Sequence, residues 1–246
     1  MSPVTQVSQP EVEQALQALV ADLRAKGGDN ILGIALYGGA VKGRFTPGIS
    51  DINVLVVVRE AGLGSLEALA PVLTAARRGH LVTAFVATAD DLRQSAHLFP
   101  IKIKDMQAAH RVLFGKVGLD AIQVEPDALR LRALQELRNA EFRLRQRAVE
   151  RGADTEVLWG GLLRSLPKMA VTLETVLRLR GEAVPGDRPG LIRAAARALG
   201  LEALAKFASI HRHERRPDDP AARALVGEYL QVLAALSARI EQEFRR

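Results

Sequence analysis

The chain has 246 residues, 48% of them hydrophobic and none of them cysteine, with a formal net charge of +6. That length suits one large domain or two smaller ones, the composition is too apolar for a disordered chain, and disulfides and thiolate metal sites are excluded. No apolar run reaches the roughly 18 residues that a bilayer span needs, and MSPVTQVSQPEVEQ at the N-terminus has neither the basic head nor the apolar stretch of a signal peptide. A cytoplasmic protein with no membrane partner is therefore expected. The basic surplus fits either an Arg-rich soluble surface or a polyanion partner such as a nucleotide or nucleic acid. Aromatic residues are only 4%, which argues against stacking platforms for single strands.

Taken in chain order, Val12, Leu16, Leu19, Val20 and Leu23 have the spacing of a helix with one buried face, over 11–26, ended by Gly27 and Gly28. ILGIALYG (31–38) reads as a buried strand and INVLVVV (52–58) as a second. SLEALAPVLTAARRG (65–79) reads as a helix with a kink or a late start at Pro71. LVTAFVA (81–87) is a third strand, TADDLRQSAH a short helix capped by Thr88, and FPIKIKDM (99–106) an edge-like fourth strand, since Pro100 cannot donate to a central ladder. After VEPDAL the strand signals stop and Ala/Leu/Arg/Glu segments take over. Helices are expected at about 127–151, 154–180, 188–199, 201–213 and 219–244, punctuated by Pro167, Pro185, Pro189, Pro217 and Pro220. The expectation is an α/β domain with a small mixed sheet over 1–124, followed by an all-α helical bundle over 125–246.

The stretch LYGGAVKGRFTPGISDINVLVVV (36–58) carries the chemistry. Gly38 to Gly43 has the glycine spacing of a P-loop, but Arg44 and Phe45 stand where the phosphate lysine and the magnesium hydroxyl belong. GLGS (62–65) follows a strand and opens a helix, yet lacks the third glycine of a dinucleotide site. The third reading fits best. Gly38 and Gly39 allow a turn with no Cβ in the way, which can hold a triphosphate. Asp51 and Asn53, two apart on a strand, point to one face. Acids at that spacing suit divalent cations in phosphoryl transfer.

On these residues the stretch resembles the signature of the DNA polymerase β-like nucleotidyltransferases, in which a Gly-Gly or Gly-Ser turn is followed by Asp-x-Asp/Glu opening the next strand. HLFPIKIKDMQAAHRVLFG (97–115) is similar to a segment of bacterial members, the kanamycin-nucleotidyltransferase-like group. The resemblance covers residues 30–115 in sequence and the remainder in architecture. It implies that Gly38 and Gly39 meet the phosphates of an NTP, that Asp51 is a catalytic Mg²⁺ ligand, that Ser50 orients Asp51, and that Lys42 and Arg44 reach phosphate oxygens. It also implies an acceptor, of unknown chemistry, bound between the two domains.

The chain departs from that pattern at three places. Asn53 stands where the family has a carboxylate, LVTAFVA has no third acid, and Lys102 stands where related chains tend to carry an acid. Asp105 is the nearby acid, and a helix-start cap is its expected role. Two divalent ions about 4 Å apart repel by roughly 16 kcal/mol at an effective dielectric near 20, so one carboxylate cannot hold both. Asn53 offers a weaker, neutral oxygen. Lys102, if it faces the site, repels a second ion or takes its place. The expectations are nucleotidyl transfer through a reduced metal site or, as the alternative, a pseudoenzyme that binds nucleotide and serves as a regulatory or antitoxin-like interaction protein.

The remaining signals are weighed as structural. HRHERR (211–216) reads as an exposed helix end, with its two histidines pointing apart. His80, His97 and His110 are isolated. The arginines of 127–151 alternate with Glu136, Glu141 and Glu150, which reads as a salt-bridged face, with a basic wall as the functional option. Trp159-Gly160-Gly161 reads as a close helix contact. An apolar bundle face leaves a homodimer open.

Overall fold

The computed structural model describes residues 10–42, 51–80, 82–152, 154–210 and 214–244. The chain divides into two compact units between Glu125 and Pro126. The first holds α1 (Pro10–Gly27), β1 (Ile31–Tyr37), β2 (Ile52–Val58), α2 (Leu63–His80), β3 (Val82–Thr88), α3 (Ala89–Gln94), α4 (Pro100–Ala108) and β4 (His110–Gly115). The second holds α5 (Pro126–Arg151), α6 (Thr155–Leu179), α7 (Arg188–Leu199) and α8 (Asp219–Phe244).

The sheet is four-stranded and mixed, in the order β3-β2-β1-β4. β1 runs antiparallel to β2 and β4, while β2 and β3 are parallel, linked through α2. β2 is apolar at every position but Asn53 because both faces are covered. Val54, Val56 and Val58 pack with Leu16 and Leu23 of α1 and Leu69 of α2. Leu55 and Val57 pack with Leu92 of α3 and with Ile103 and Met106 of α4. This sandwich pins the register and therefore the mouth of the sheet, where β1 ends and β2 begins.

Three expectations are corrected. FPIKIKDM is not a strand: α4 starts at Pro100, whose missing N–H is harmless in a first turn. The Ile-Lys-Ile-Lys alternation imitates a strand, but the burial of Ile103 and Met106 has helical spacing. The fourth strand is His110–Gly115, a partly exposed edge with little alternation to announce it. The helix around Pro71 starts at Leu63 and runs through the proline to His80, so the proline marks no late start. Thr88 forms the expected cap, accepting from the Asp91 amide while Asp91 accepts from its own.

In the second unit α6 also passes through a proline, Pro167. Its apolar stripe, including Leu158, Leu162, Leu166, Leu173 and Val176, packs with Leu137 and Leu144 of α5 and with Leu233, Leu236 and Ile240 of α8 in a helical core. The segment expected as a helix over 201–213 is a 3₁₀ stretch, Glu202–Ala208. Its Phe207 packs on the fully buried Tyr229 with ring centroids 5.0 Å apart. His211 and His213 lie outside the described residues, and Glu214 to Arg216 are not helical. Trp159 is buried and donates Nε1–H to the Glu214 carbonyl at 3.3 Å. At Gly161 an added Cβ would stand 3.1 Å from Leu144 Cδ1 and 3.2 Å from Arg147 Cδ, so the glycine does let α5 come close.

Candidate functional site

At the end of β1 the chain leaves Tyr37 and turns through Gly38, whose φ of +78° is left-handed. A 3₁₀ turn over Gly38–Ala40 follows, with Val41 and Lys42 both donating backbone N–H to the Gly38 carbonyl at 3.1 Å. Tyr37 pairs with Asn53 across the antiparallel ladder. A Cβ on Gly38 would lie 3.3 Å from Asn53 Nδ2, so the amide sits directly against the glycine turn. Asp51 lies at the entrance to β2, two residues before Asn53.

The parallel ladder adds a residue that the sequence did not single out. Thr83 pairs with Asn53, so Thr83 takes the place on the neighbouring strand that looks onto Asn53. Arg77 of α2 donates to the Thr83 hydroxyl, and its Nη1 lies 3.6 Å from Asp51 Oδ1. Asp51 therefore already faces a cation, in a pair exposed enough that solvent weakens it. Arg77 was hidden in sequence because α2 and β3 reach Asp51 only through tertiary pairing. A count along the two parallel strands from their entrances would have suggested Thr83.

The other expected residues divide. Lys42 forms an ion pair with Asp105, and both are largely buried. Asp105 lies in the last part of α4 and is not its start, so the capping role is corrected. Its charge, together with the larger effect of burial, pushes the Tyr37 hydroxyl up to about 12. Lys102 does not reach Asp51. Its Nζ sits 3.4 Å above the Phe85 ring, two residues along β3 from Thr83, and burial lowers its pKa. His110 is tied through Nδ1 to the Met106 carbonyl at 2.9 Å. Arg44 and Ser50 lie outside the described residues.

Among the described residues the donors at the mouth are one carboxylate (Asp51), one amide (Asn53) and one hydroxyl (Thr83). Among the described residues no three His, Cys, Asp or Glu side chains gather as a metal site would require. The set is too poor in charge for two divalent ions. It fits a single ion that brings its own phosphate ligands.

A left-handed glycine turn thus lies beside the entrance of an antiparallel strand, in a mixed sheet covered by helices and followed by a helical region. Among solved structures, the chain is similar to spectinomycin adenyltransferase AAD(9) from Enterococcus faecialis, solved with ATP and spectinomycin. The TM-score is 0.59 at 13% sequence identity, covering 93% of this chain and 99% of that one. At that identity the likeness is one of fold. No protein-family model matches the chain, and no curated protein matches it in sequence.

Proposed function

We propose that the protein binds a nucleoside triphosphate at the Gly38 turn and transfers its nucleotidyl group to an acceptor, with Asp51 as the essential carboxylate. One juxtaposition carries the reading: the left-handed Gly38 stands against Asn53, at the same strand entrance as Asp51. Gly38 and Gly39 keep side chains away from the turn, leaving its backbone open to phosphate oxygens. Lys42, fixed by Asp105, supplies positive charge beside the turn, and Arg44 and Ser50 stand in the sequence between the turn and Asp51. Arg77 neutralises Asp51 until Mg²⁺ and nucleotide arrive to displace it. Mg²⁺ entering with the nucleotide would be held by Asp51 and the Asn53 carbonyl oxygen and would withdraw charge from the triphosphate.

A second reading is nucleotide binding without transfer, in a regulatory or antitoxin-like protein. It is favoured by the Arg77–Asp51 pair and by neutral Asn53 and Thr83 at positions that would otherwise add charge for a metal. Calorimetry with ATP, GTP, CTP and UTP, with and without Mg²⁺, separates the two when coupled to a pyrophosphate-release assay over a panel of hydroxylated and aminated acceptors. Mg²⁺-dependent binding lost in Asp51→Ala, with pyrophosphate released by the unmodified chain, supports transfer. Metal-independent binding without release supports the second reading. Absence of binding by any nucleotide sinks both.

A further inference from the structure

Within the helical unit a groove of about 310 Å³ lies between α5 and α6. Arg143 and Arg147 of α5 and Arg164 and Lys168 of α6 line it, with Glu136 as its one acid. The pairs are each four residues apart, so on both helices like charges are stacked on one face, an arrangement that costs stability in an isolated helix. Gly161 makes room for this. Lacking a Cβ, it lets the Arg147 stem lie across α6, its Cδ only 3.2 Å from where that Cβ would be.

The other arginines of α5 are treated differently. Arg130 meets Asp127 at 2.6 Å, Arg132 meets Glu136 at 2.6 Å, Arg138 meets Glu141 at 3.2 Å, and Arg145 also pairs with Glu141. Asp127, Glu136 and Glu141 are thus engaged by arginines outside the groove, and Glu150 accepts from Gln146 at 2.7 Å. Among the described residues none of the four groove cations pairs with a carboxylate. Arg143 gives its Nε–H to the Asn139 carbonyl at 3.1 Å, which steadies the side chain and leaves its charge unmatched.

We infer that this groove binds a small organic phosphate. Three guanidinium groups and an ammonium around one cavity match the several oxygens of a phosphate ester or diphosphate, which arginine grips in a two-pronged fashion. The volume sits at the small end of ligand pockets. The floor formed by Leu137, Ala140 and Met169 gives a carbon skeleton an apolar surface. The site lies wholly within the second unit and stands independently of the nucleotide reading.

The probe is inorganic pyrophosphate, titrated calorimetrically into the full-length protein at low and at physiological salt. Any binding at the glycine turn is left intact by groove substitutions, so the informative quantity is the difference between variants. Binding that falls at least tenfold in Arg147→Gln/Arg164→Gln, and stays within twofold in Arg130→Gln, is the expected result. Tm without ligand should hold or rise in the double variant, because like-charge repulsion is removed, while the pyrophosphate-induced rise in Tm disappears. A double variant that binds as well as the unmodified protein overturns the proposal, as does an unmodified protein that does not bind. A short DNA duplex that binds at the same four residues more tightly than pyrophosphate also overturns it, because the groove would then be part of a nucleic-acid surface. Should the double variant misfold, Lys168→Gln alone carries the same test with a severalfold loss expected.

Discussion

The mouth of the sheet and the α5–α6 groove use charge in opposite ways. At the mouth two ion pairs match their charges: Lys42 with Asp105, Asp51 with Arg77. In the groove four cations share one acid that is already taken. A site of matched charges is ready for exchange, since an arriving ion or phosphate can replace a partner without leaving an exposed surplus. A site of unmatched cations keeps its positive charge available to an arriving anion.

The largest expected effect breaks the matched set with hydroxide. Tyr37 ionises near 10 in the unfolded chain but is pushed up to about 12 in the fold, first by burial and then by Asp105. Because the folded state holds this proton more tightly, its contribution is complete below pH 10 and is lost as the pH rises through 12. The loss is on the order of 3 kcal/mol. Tyr37→Phe should flatten the fall in stability between pH 10 and 12, read from urea melts across that range. Equal slopes for both proteins would place Tyr37 in ordinary contact with water. Tyr229, in the other unit, is also raised by burial and remains in both proteins, so it cancels in the difference.

Gly38→Val is next. A branched side chain at φ of +78°, with its Cβ 3.3 Å from Asn53 Nδ2, should destabilise the first unit by about 2 kcal/mol. Thermal melts should show this loss together with weakened nucleotide binding, while pyrophosphate binding in the groove persists. Loss of both ligands together would mean that the two regions are not separate sites.

The sequence made the long-period features legible and hid the short-range rivals. The continuous apolar run at 52–58 and the stripes of α6 and α8 could be read because burial on two faces, or on one helical face, leaves a periodic mark. Ile101-Lys102-Ile103-Lys104 left a mark of period two in what is a helix, because Lys102 lies over Phe85 while the helix buries Ile101, Ile103 and Met106. The strand at 110–115 left none, being an edge with partly exposed side chains. At the candidate site, Gly38, Asp51 and Asn53 could be placed together because they flank one connection between paired strands. Arg77 and Thr83 could not, since their approach depends on the parallel register of β2 with β3, which no local pattern encodes. The pairing of Lys42 with Asp105 spans 63 residues and was equally out of reach.

Restoring a carboxylate to the mouth tests whether the site is only one or two groups away from ordinary metal chemistry. Asn53→Asp places a second acid two residues from Asp51 and against the glycine turn. Mg²⁺-dependent ATP affinity should rise at least about tenfold, the equivalent of 1.4 kcal/mol, by calorimetry. An unchanged affinity would mean that Asp51 does not take part in metal binding.

The smallest effect concerns the cation that now stands beside Asp51. Arg77→Ala removes the guanidinium 3.6 Å from Oδ1 and also the donor to Thr83. Both members of the pair are well exposed, so the pairing is worth less than about 1 kcal/mol, and releasing it should strengthen Mg²⁺-dependent ATP binding by no more than about fivefold. The sign is the informative part. If Arg77 merely occupies the place of a metal, its loss helps binding. If Arg77 instead turns to grip the triphosphate, its loss weakens binding, with a shallower dependence on salt than in the unmodified protein. A calorimetric salt series on the single variant distinguishes these outcomes, and the second would make Arg77 the counterpart, at the mouth, of the arginines in the groove.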